Sequence, residues 1–222
     1  MLLASALDGR LDGVENMRRD EILLEEAEAG SPCFRLYSWQ GPWVSLGRFQ
    51  KPERALSSGC KVPWVMRPTG GKGVLHGHDL TIGAAFPLVC LGLKESETRS
   101  VGPAYRAVIR PLVSALKDSG ARVMLGEETQ FVRSGGATPD CFAHIAPNDV
   151  IDPQSGRKVM GCALKIGRRA VLVQCSLPAG PPLVDPRTVF PDPHIPSWIE
   201  GIDPDALYQS LGIRFSEALA SQ

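Results

Sequence analysis

The chain has 222 residues, a length that one large domain can account for, and its 43% hydrophobic content is enough for a sizeable core. The 24 lysines and arginines balance 24 aspartates and glutamates, so the formal net charge at pH 7 is +0. This balance argues against non-specific nucleic-acid binding, which depends on a basic surface. No apolar run approaches the length of a membrane span. We expect a single, monomeric domain over residues 1–222 that binds neither nucleic acid nor membrane.

The N-terminus and the cysteines favour a cytoplasmic protein. The first residues lack the basic segment of a signal peptide and soon turn polar. No two of the 6 cysteines are spaced as C-x-x-C, so neither a zinc knuckle nor a redox dithiol is indicated, and we expect no metal site. A chain of this size does not need a disulfide framework. We expect reduced thiols at all six positions, which are Cys33, Cys60, Cys90, Cys141, Cys162 and Cys175.

The first half of the chain is predicted to form one helix followed by strands. Residues 16–29 have a helical pattern that Asn16 would cap and that Gly30 would end. A Gln-Gly-Pro turn separates the first two strand patterns, so we expect these strands to pair as a hairpin. The strand patterns cover residues 33–39, 43–47, 62–66 and 80–88.

The second half is predicted to form a helix, more strands and a proline-rich segment. Apolar residues at helical spacing predict the helix over residues 102–119, which Pro111 would kink. Prolines predict an irregular surface segment over residues 178–196, before two short helices that start near Asp205 and Phe215. The strand patterns cover residues 122–125, 148–151, 158–166 and 170–177.

A glycine-rich turn leads into a strand and is the first candidate for a binding site. Glycine has no Cβ, so backbone N–H groups in such a turn can approach a ligand closely. The spacing matches neither a P-loop nor a dinucleotide-binding fingerprint. We expect at least one of the two histidines after the turn to pack or hydrogen-bond locally. The residues of interest are Arg67, Gly70, Gly71, Lys72, Gly73, His76 and His78.

Cys141 follows a glycine-rich stretch, residues 134–140, which places its thiol at the end of a mobile loop. A thiolate is a strong nucleophile, and a nearby cation lowers the pKa of a thiol. Lys158 is the nearest strand-borne cation by sequence, and His144 is a candidate base. The alternatives are a buried structural cysteine and a solvated lysine in a turn. A glycine turn, a cysteine and a lysine in this order indicate acyl-transfer chemistry.

Four pieces of sequence occur in a particular order along nearly the whole chain. They are a helix with Asn16, Met17, Asp20 and Glu21, then residues 35–39 and 45–50, the glycine-rich residues 67–76, and a second half with Cys141, Phe142, Asp149, Gly156, Arg157, Lys158, Gly161 and Gln174. Together these pieces resemble the biotin/lipoate protein ligase superfamily, in the branch that holds lipoate–protein ligases and octanoyltransferases.

The resemblance implies an α+β (mixed α/β) fold, in which a mixed, largely antiparallel sheet is flanked by helices. It also implies a slot for an acyl chain beside the glycine loop, where burial of about six methylenes would contribute roughly 5 kcal/mol. Cys141 and Lys158 would be the catalytic residues, with Lys158 at the carbonyl end. The implied substrate-binding residues are Arg67, Gly70, Gly71, Lys72, Gly73, His76 and Gly161.

Two reactions are compatible with this resemblance. An octanoyltransferase would move the chain from acyl carrier protein, through a cysteine thioester, to a lysine of a lipoyl domain or glycine-cleavage H protein, without a cofactor. A lipoate–protein ligase would use ATP and Mg²⁺ to form an acyl-adenylate and would need no protein nucleophile. The position of Cys141, the two rather than three consecutive glycines, and the expected lack of a C-terminal accessory domain favour the transferase.

Departures from the family pattern leave further alternatives open. Cys162 stands where a serine is common, and Cys175 follows Gln174 where a glycine is usual, so we expect a second thiol near the site. Cys162 is the second candidate for the nucleophile after Cys141. A non-catalytic relative that only binds acyl chains is another alternative. Additional candidate site residues are His78, His144, Gln174 and Cys175.

Overall fold

The structure is a computed structural model that describes residues 2–93, 100–133, 138–194 and 197–221. Its strands are β1 (Ala4–Leu11), β2 (Cys33–Trp39), β3 (Trp43–Leu46), β4 (Trp64–Met66), β5 (Val74–His76), β6 (Asp79–Pro87), β7 (Met124–Leu125), β8 (Val150–Asp152), β9 (Arg157–Ile166) and β10 (Ala170–Pro178). Its α-helices are α1 (Gly13–Glu28), α2 (Pro52–Ala55), α3 (Val101–Asp118) and α4 (Pro204–Ala220).

The strands of the described residues form two sheets. The main sheet has seven strands in the order β1-β2-β6-β10-β9-β8-β7, and the small sheet has three in the order β4-β3-β5. β1 runs parallel to β2 and β4 runs parallel to β3, whereas the remaining neighbours are antiparallel. The α+β fold with a mixed, largely antiparallel sheet and flanking helices is therefore confirmed.

The two faces of the main sheet differ in polarity. Alternate residues of the central strands, such as Phe34, Ile82 and Val173, pack into one large core with α3 and α4. The ring of Phe215 in α4 lies 5.4 Å from that of Phe34, measured between centroids. The intervening residues of the same strands, Gln174 among them, lie on the face that α1 covers, because successive side chains alternate along a strand. The candidate site lies on this α1 face.

α1 begins earlier than the sequence predicts. Its N-cap is Asp12, whose side chain accepts a hydrogen bond from a first-turn backbone N–H at 2.8 Å. Asn16, the predicted cap, is buried inside the helix and donates to the carbonyl oxygens of Leu11 and Ser38. The prediction for the other end is confirmed, since Gly30 follows the helix with a φ of +105°.

The predicted hairpin between residues 33–39 and 43–47 is wrong. β2 lies between β1 and β6, so neither of its edges is left for β3, which pairs instead with β4 and β5 in the small sheet. β1 was not predicted at all. Its sequence, Ala-Ser-Ala-Leu-Asp-Gly-Arg-Leu, lacks a sustained alternation of apolar and polar residues by which a strand is recognised, and none of its residues is buried.

The two predicted C-terminal helices form one continuous helix. Asp203 caps α4, and its side chain accepts from a first-turn backbone N–H at 3.0 Å. Leu207, Leu211 and Phe215 are all buried along one side of α4, so packing against the core holds the helix together through Gly212.

The other predicted elements lie within a few residues of the observed ones. The predicted helix over residues 102–119 is α3, which contains Pro111. The proline-rich segment has a short 3₁₀ turn at Pro186–Thr188, and its residues 195–196 lie outside the described residues. Within the described ranges, no helix combines the length and the hydropathy needed to cross a bilayer.

Candidate active site

The glycine-rich turn connects β4 to β5 and is held by the side chain of Arg67. The guanidinium donates to the carbonyl oxygens of Ser45 at 2.9 Å, Gly70 at 2.6 Å and Lys72 at 2.7 Å. Gly71 has a φ of +89°, which favours glycine. Burial lowers the pKa of Arg67 to about 10, so the guanidinium still carries its charge at neutral pH. Arg67 therefore fixes the shape of the turn.

Cys141 is attached to the glycine turn through backbone hydrogen bonds. The Gly73 N–H donates to the Pro139 carbonyl at 2.8 Å, and the Cys141 N–H donates to the Gly73 carbonyl at 3.0 Å. Asp140 accepts from the Phe142 N–H at 3.0 Å and so starts the 3₁₀ turn that carries the cysteine. Of the loop predicted to precede Cys141, residues 134–137 lie outside the described residues.

Lys158, near the start of β9, reaches Cys141. Its ammonium lies 3.4 Å from the Cys141 sulfur and 3.0 Å from the Cys141 carbonyl oxygen. It also donates to the His144 carbonyl oxygen at 3.3 Å and forms an ion pair with Asp149 at 2.9 Å. The structure thus brings together the cysteine and the lysine that the sequence singles out. It adds Asp149, whose role sequence reasoning missed.

Burial decides the protonation state of the thiol. Burial raises the pKa of Cys141, and Asp149 raises it further, while the positive charges of Lys158 and Arg67 only partly oppose this effect. Burial lowers the pKa of Lys158, but the Cys141 sulfur, when it is ionised, and the Asp149 carboxylate outweigh burial and raise it. At rest the site therefore holds a neutral thiol beside an ammonium, whereas the sequence suggested a thiol pKa lowered by a cation.

A pocket with an empty volume of about 340 Å³, which includes part of its open mouth, lies beside Cys141. Gly161 and Ala163 of β9 lie directly opposite Ser176 and Gln174 of β10, so only small β9 side chains occupy this part of the α1 face. A Cβ placed on Gly161 would lie 3.2 Å from the Cys141 sulfur. The walls of the pocket are formed by Met17, Tyr37, Trp39, Ser45, Arg67, Val74 and His76.

His76 forms part of the wall and is held in one orientation. Its Nδ1 atom lies 2.7 Å from the Asp79 carboxylate, and its Nε2 atom lies 2.8 Å from the Ser45 hydroxyl. Its ring stacks on Trp39, with centroids 3.9 Å apart. The Ser176 hydroxyl also donates to Asp79 at 2.6 Å. These contacts join both sheets at the pocket.

A second buried polar network connects Gln174 to the glycine turn and to α1. The side-chain amide of Gln174 donates to Asp20 and accepts from the Thr69 hydroxyl at 2.6 Å. Asp20 also accepts from Tyr37 at 2.7 Å and from Arg35 at 2.9 Å. Sequence reasoning missed this network. One sequence feature could have indicated the network. An arginine stands in the middle of the apolar strand pattern 33–39, and a buried charge needs partners.

Several candidate residues lie at the edge of this site or away from it. Among the described residues, neither ring nitrogen of the buried His78 has a hydrogen-bond partner. His144 contacts Lys158 through its carbonyl oxygen, and burial lowers the pKa of its imidazole. Cys162 and Cys175 are directly opposite each other in β9 and β10 and border the pocket. Their side chains nevertheless pack into the core on the α3 face.

Comparison with known proteins decides the family. Residues 12–193 match the model of the lipoyl protein ligase A/B catalytic domain, which is most of the chain. The chain belongs to this family. The resemblance to the biotin/lipoate protein ligase superfamily that the motifs suggested is thereby confirmed.

The chain is also similar to individual members of the family. It is 35% identical over 157 residues to octanoyltransferase LipM of Carboxydothermus hydrogenoformans, covering 68% of this chain and 55% of that protein. It is 31% identical over 169 residues to octanoyltransferase LipM of Anoxybacillus flavithermus, covering 72% of this chain and 58% of that protein. The chain therefore spans little more than half the length of these curated relatives.

Solved structures of the family share the fold. Protein Ta0514 of T. acidophilum with bound lipoic acid superposes with a TM-score of 0.74 at 18% identity, covering 99% of this chain and 87% of that chain.

Proposed function

We propose that this chain is the catalytic domain of an octanoyltransferase. It would move an octanoyl or lipoyl chain from acyl carrier protein, through a thioester on Cys141, to a lysine of a lipoyl domain or glycine-cleavage H protein. The observation that carries the proposal is the Lys158 ammonium, 3.4 Å from the Cys141 sulfur beside a pocket. The LipM relatives are named octanoyltransferases, which supports transfer of an octanoyl group.

In the first step, the Cys141 sulfur attacks the carbonyl carbon of the donor thioester. A new carbon–sulfur bond forms to Cys141, the bond to the donor sulfur breaks, and the proton of the Cys141 thiol passes to the departing donor sulfur. One thioester replaces another, so the exchange needs no ATP. Because the Cys141 thiol is neutral at rest, its proton is available for the leaving group.

In the second step, the amine of the acceptor lysine attacks the acyl-Cys141 carbonyl. The carbon–nitrogen bond forms, the carbon–sulfur bond breaks, and a proton from the amine returns Cys141 to a thiol. The product is an amide, and the cysteine is ready for another donor. The acyl chain would lie over Gly161 and Ala163, where each buried methylene contributes about 0.8 kcal/mol.

Lys158 would stabilise the negative oxygen that forms in both steps. Backbone N–H groups beside a nucleophile often serve this purpose. Here the Cys141 N–H already donates to Gly73, and the Phe142 N–H already donates to Asp140. The buried ammonium of Lys158 carries a full positive charge next to the reacting sulfur, so we assign this role to its charge.

Intact-protein mass spectrometry without ATP tests the proposal. After incubation with octanoyl-acyl carrier protein, the wild-type protein is expected to gain one octanoyl group, and Cys141→Ala is expected to gain none. Cys60→Ala is a matched control, because Cys60 packs against a separate cluster away from the pocket. The Cys60→Ala variant is expected to gain one octanoyl group, as the wild type does.

Each other result contradicts a defined part of the proposal. An adduct that persists in Cys141→Ala would assign the nucleophile to Cys162 or Cys175. Absence of any adduct on the wild type, with ATP-dependent attachment of free lipoate to a lipoyl domain, would identify a lipoate–protein ligase. Acyl binding without an adduct or turnover would identify a non-catalytic relative.

A further inference from the structure

The Lys158 ammonium has more acceptors around it than protons to donate. An ammonium group has three N–H donors. Among the described residues, three oxygens surround it, from Asp149 at 2.9 Å, Cys141 at 3.0 Å and His144 at 3.3 Å, and the Cys141 sulfur is a fourth acceptor at 3.4 Å. The oxygens hold the ammonium, and the sulfur at the longest distance receives mainly its charge.

Asp149 cannot readily move away from Lys158. Its carboxylate accepts a hydrogen bond from the Ala146 N–H at 2.7 Å, while its own N–H donates to the Ala146 carbonyl at 3.0 Å. The side chains of Lys158 and Asp149 are 3% and 6% exposed. The turn before β8 therefore presents a fixed negative charge to the ammonium, in surroundings where water screens charges poorly.

The charges that act on the Cys141 thiol come from three elements around it. Lys158 of β9 and Arg67 of the glycine turn lower its pKa, and Asp149 raises it. Because the carboxylate and the ammonium are in contact, the carboxylate offsets part of the ammonium's effect on the thiol. Arg67 adds a positive charge, but its guanidinium is engaged with the glycine turn.

We propose that Asp149 is a positioning residue that anchors Lys158 beside Cys141 and offsets part of its positive charge, which adds to the effect of burial in keeping the Cys141 thiol neutral at rest. The proposal rests on the proposed function only in taking Cys141 as the nucleophile. A neutral thiol reacts slowly with oxidants and alkylating agents, because the thiolate is the reactive form. Asp149 thereby helps to hold Cys141 in its less reactive, neutral form.

The pH dependence of Cys141 alkylation by iodoacetamide, followed by peptide mass spectrometry, tests this role. Asp149→Asn keeps an oxygen for Ala146 and Lys158 but removes the negative charge. We expect the alkylation midpoint of Cys141 to fall by about one pH unit. The thiolate is then about tenfold more abundant below the midpoint, but it is less nucleophilic, so the rate near pH 7 should rise about threefold.

Controls in the same experiment separate the effect of the negative charge at residue 149 from a general disturbance of the fold. Asp149→Glu keeps the charge and is expected to keep the midpoint near that of the wild type. Cys60 in the same samples serves as an internal reference, because a disturbed fold would change its rate too. Should Asp149→Asn fail to fold, Asp149→Ser removes the same charge with a smaller side chain and is expected to lower the midpoint as well.

An unchanged or higher Cys141 midpoint in a folded, uncharged variant would overturn the proposal, as would an equal shift in Asp149→Glu. Alkylation requires no acyl donor. A protein that fails to take up octanoyl groups but shows the expected shift would therefore refute the proposed function and leave the role of Asp149 standing.

Discussion

At the scale of single residues, the arrangement of the site depends on a glycine at position 161, which has no side chain, as well as on the side chains of Cys141 and Lys158. Cys141 and Lys158 both lie against residue 161, which is a glycine. A Cβ at this position would lie 3.2 Å from the Cys141 sulfur and 3.3 Å from Cε of Lys158. Both distances are shorter than ordinary van der Waals contact, so one of the two side chains would have to shift.

We therefore predict that Gly161→Ala slows the formation of the octanoyl adduct about tenfold, because small displacements of reacting groups have large effects on rate. A time course of intact mass in the presence of octanoyl-acyl carrier protein measures the effect. Gly59→Ala is the control, since no atom lies within 4 Å of a Cβ added there. Equal rates for Gly161→Ala and the wild type would show that the contact is relieved without moving the sulfur or the ammonium.

The sequence identifies Cys141 and Lys158 as candidates because their chemistry is distinctive and a glycine turn precedes them. It could not show that Asp149 completes the group, because an aspartate before an apolar strand is common and its partner depends on the fold. It also suggested that Cys162 and Cys175 lie near the site. Both residues do border the pocket, but their pairing across β9 and β10 turns their side chains towards the core on the α3 face. Strand register, which the sequence does not give, decides such cases.

At the scale of elements, α1 is held against the main sheet by polar contacts. Asp20 of α1 accepts from Arg35 and Tyr37 of β2 and from Gln174 of β10. Gly83 of β6 makes room for it, since a Cβ there would lie 2.6 Å from an Asp20 carboxylate oxygen. The sequence predicts that α1 is a helix. It does not predict which residues contact Asp20, because Asp20 and Gln174 are 154 residues apart.

Gly83→Ala is predicted to lower the free energy of unfolding by about 1–3 kcal/mol, the usual cost of an added group in a packed interior. Three hydrogen bonds fix the Asp20 carboxylate, so it cannot turn aside without losing partners. Urea denaturation measures the change, and Gly180→Ala, which meets no atom within 4 Å, provides the comparison. If both variants unfold at the same urea concentration as the wild type, α1 is less tightly fixed than its contacts imply.

At the scale of the whole molecule, the two sheets are joined through Asp79. This residue lies in the main sheet and contacts His76 of the small sheet and Ser176 of the neighbouring β10. Burial by itself would raise the pKa of Asp79, but His76, His78 and Ser176 outweigh burial and lower the pKa to about 2. The ionised carboxylate is therefore part of what keeps the sheets together.

The lowered pKa of Asp79 predicts how stability depends on pH. Because its folded-state pKa is below the usual 3.8, its contribution is complete above about pH 4 and is lost as the pH falls towards 2. The loss amounts to about 2 kcal/mol. In Asp79→Asn this contribution is absent, so the difference in unfolding free energy between the variant and the wild type should narrow by that amount between pH 4 and pH 2. A constant difference over this range, measured by denaturation at each pH, would contradict the assignment.

The two hydrogen bonds that Gly73 makes with Pro139 and Cys141 have a further consequence. They couple the wall of the pocket to the segment that carries the sulfur, so a displacement of the glycine turn also displaces Cys141, the nucleophile that we propose. A bulky acyl group that forced the turn outward would move Cys141 away from Lys158, which is held separately by β9 and Asp149. Branched or oversized acyl chains would then bind more weakly and also react more slowly. The slower reaction would follow because a poorly fitting chain moves the Cys141 sulfur away from the Lys158 ammonium.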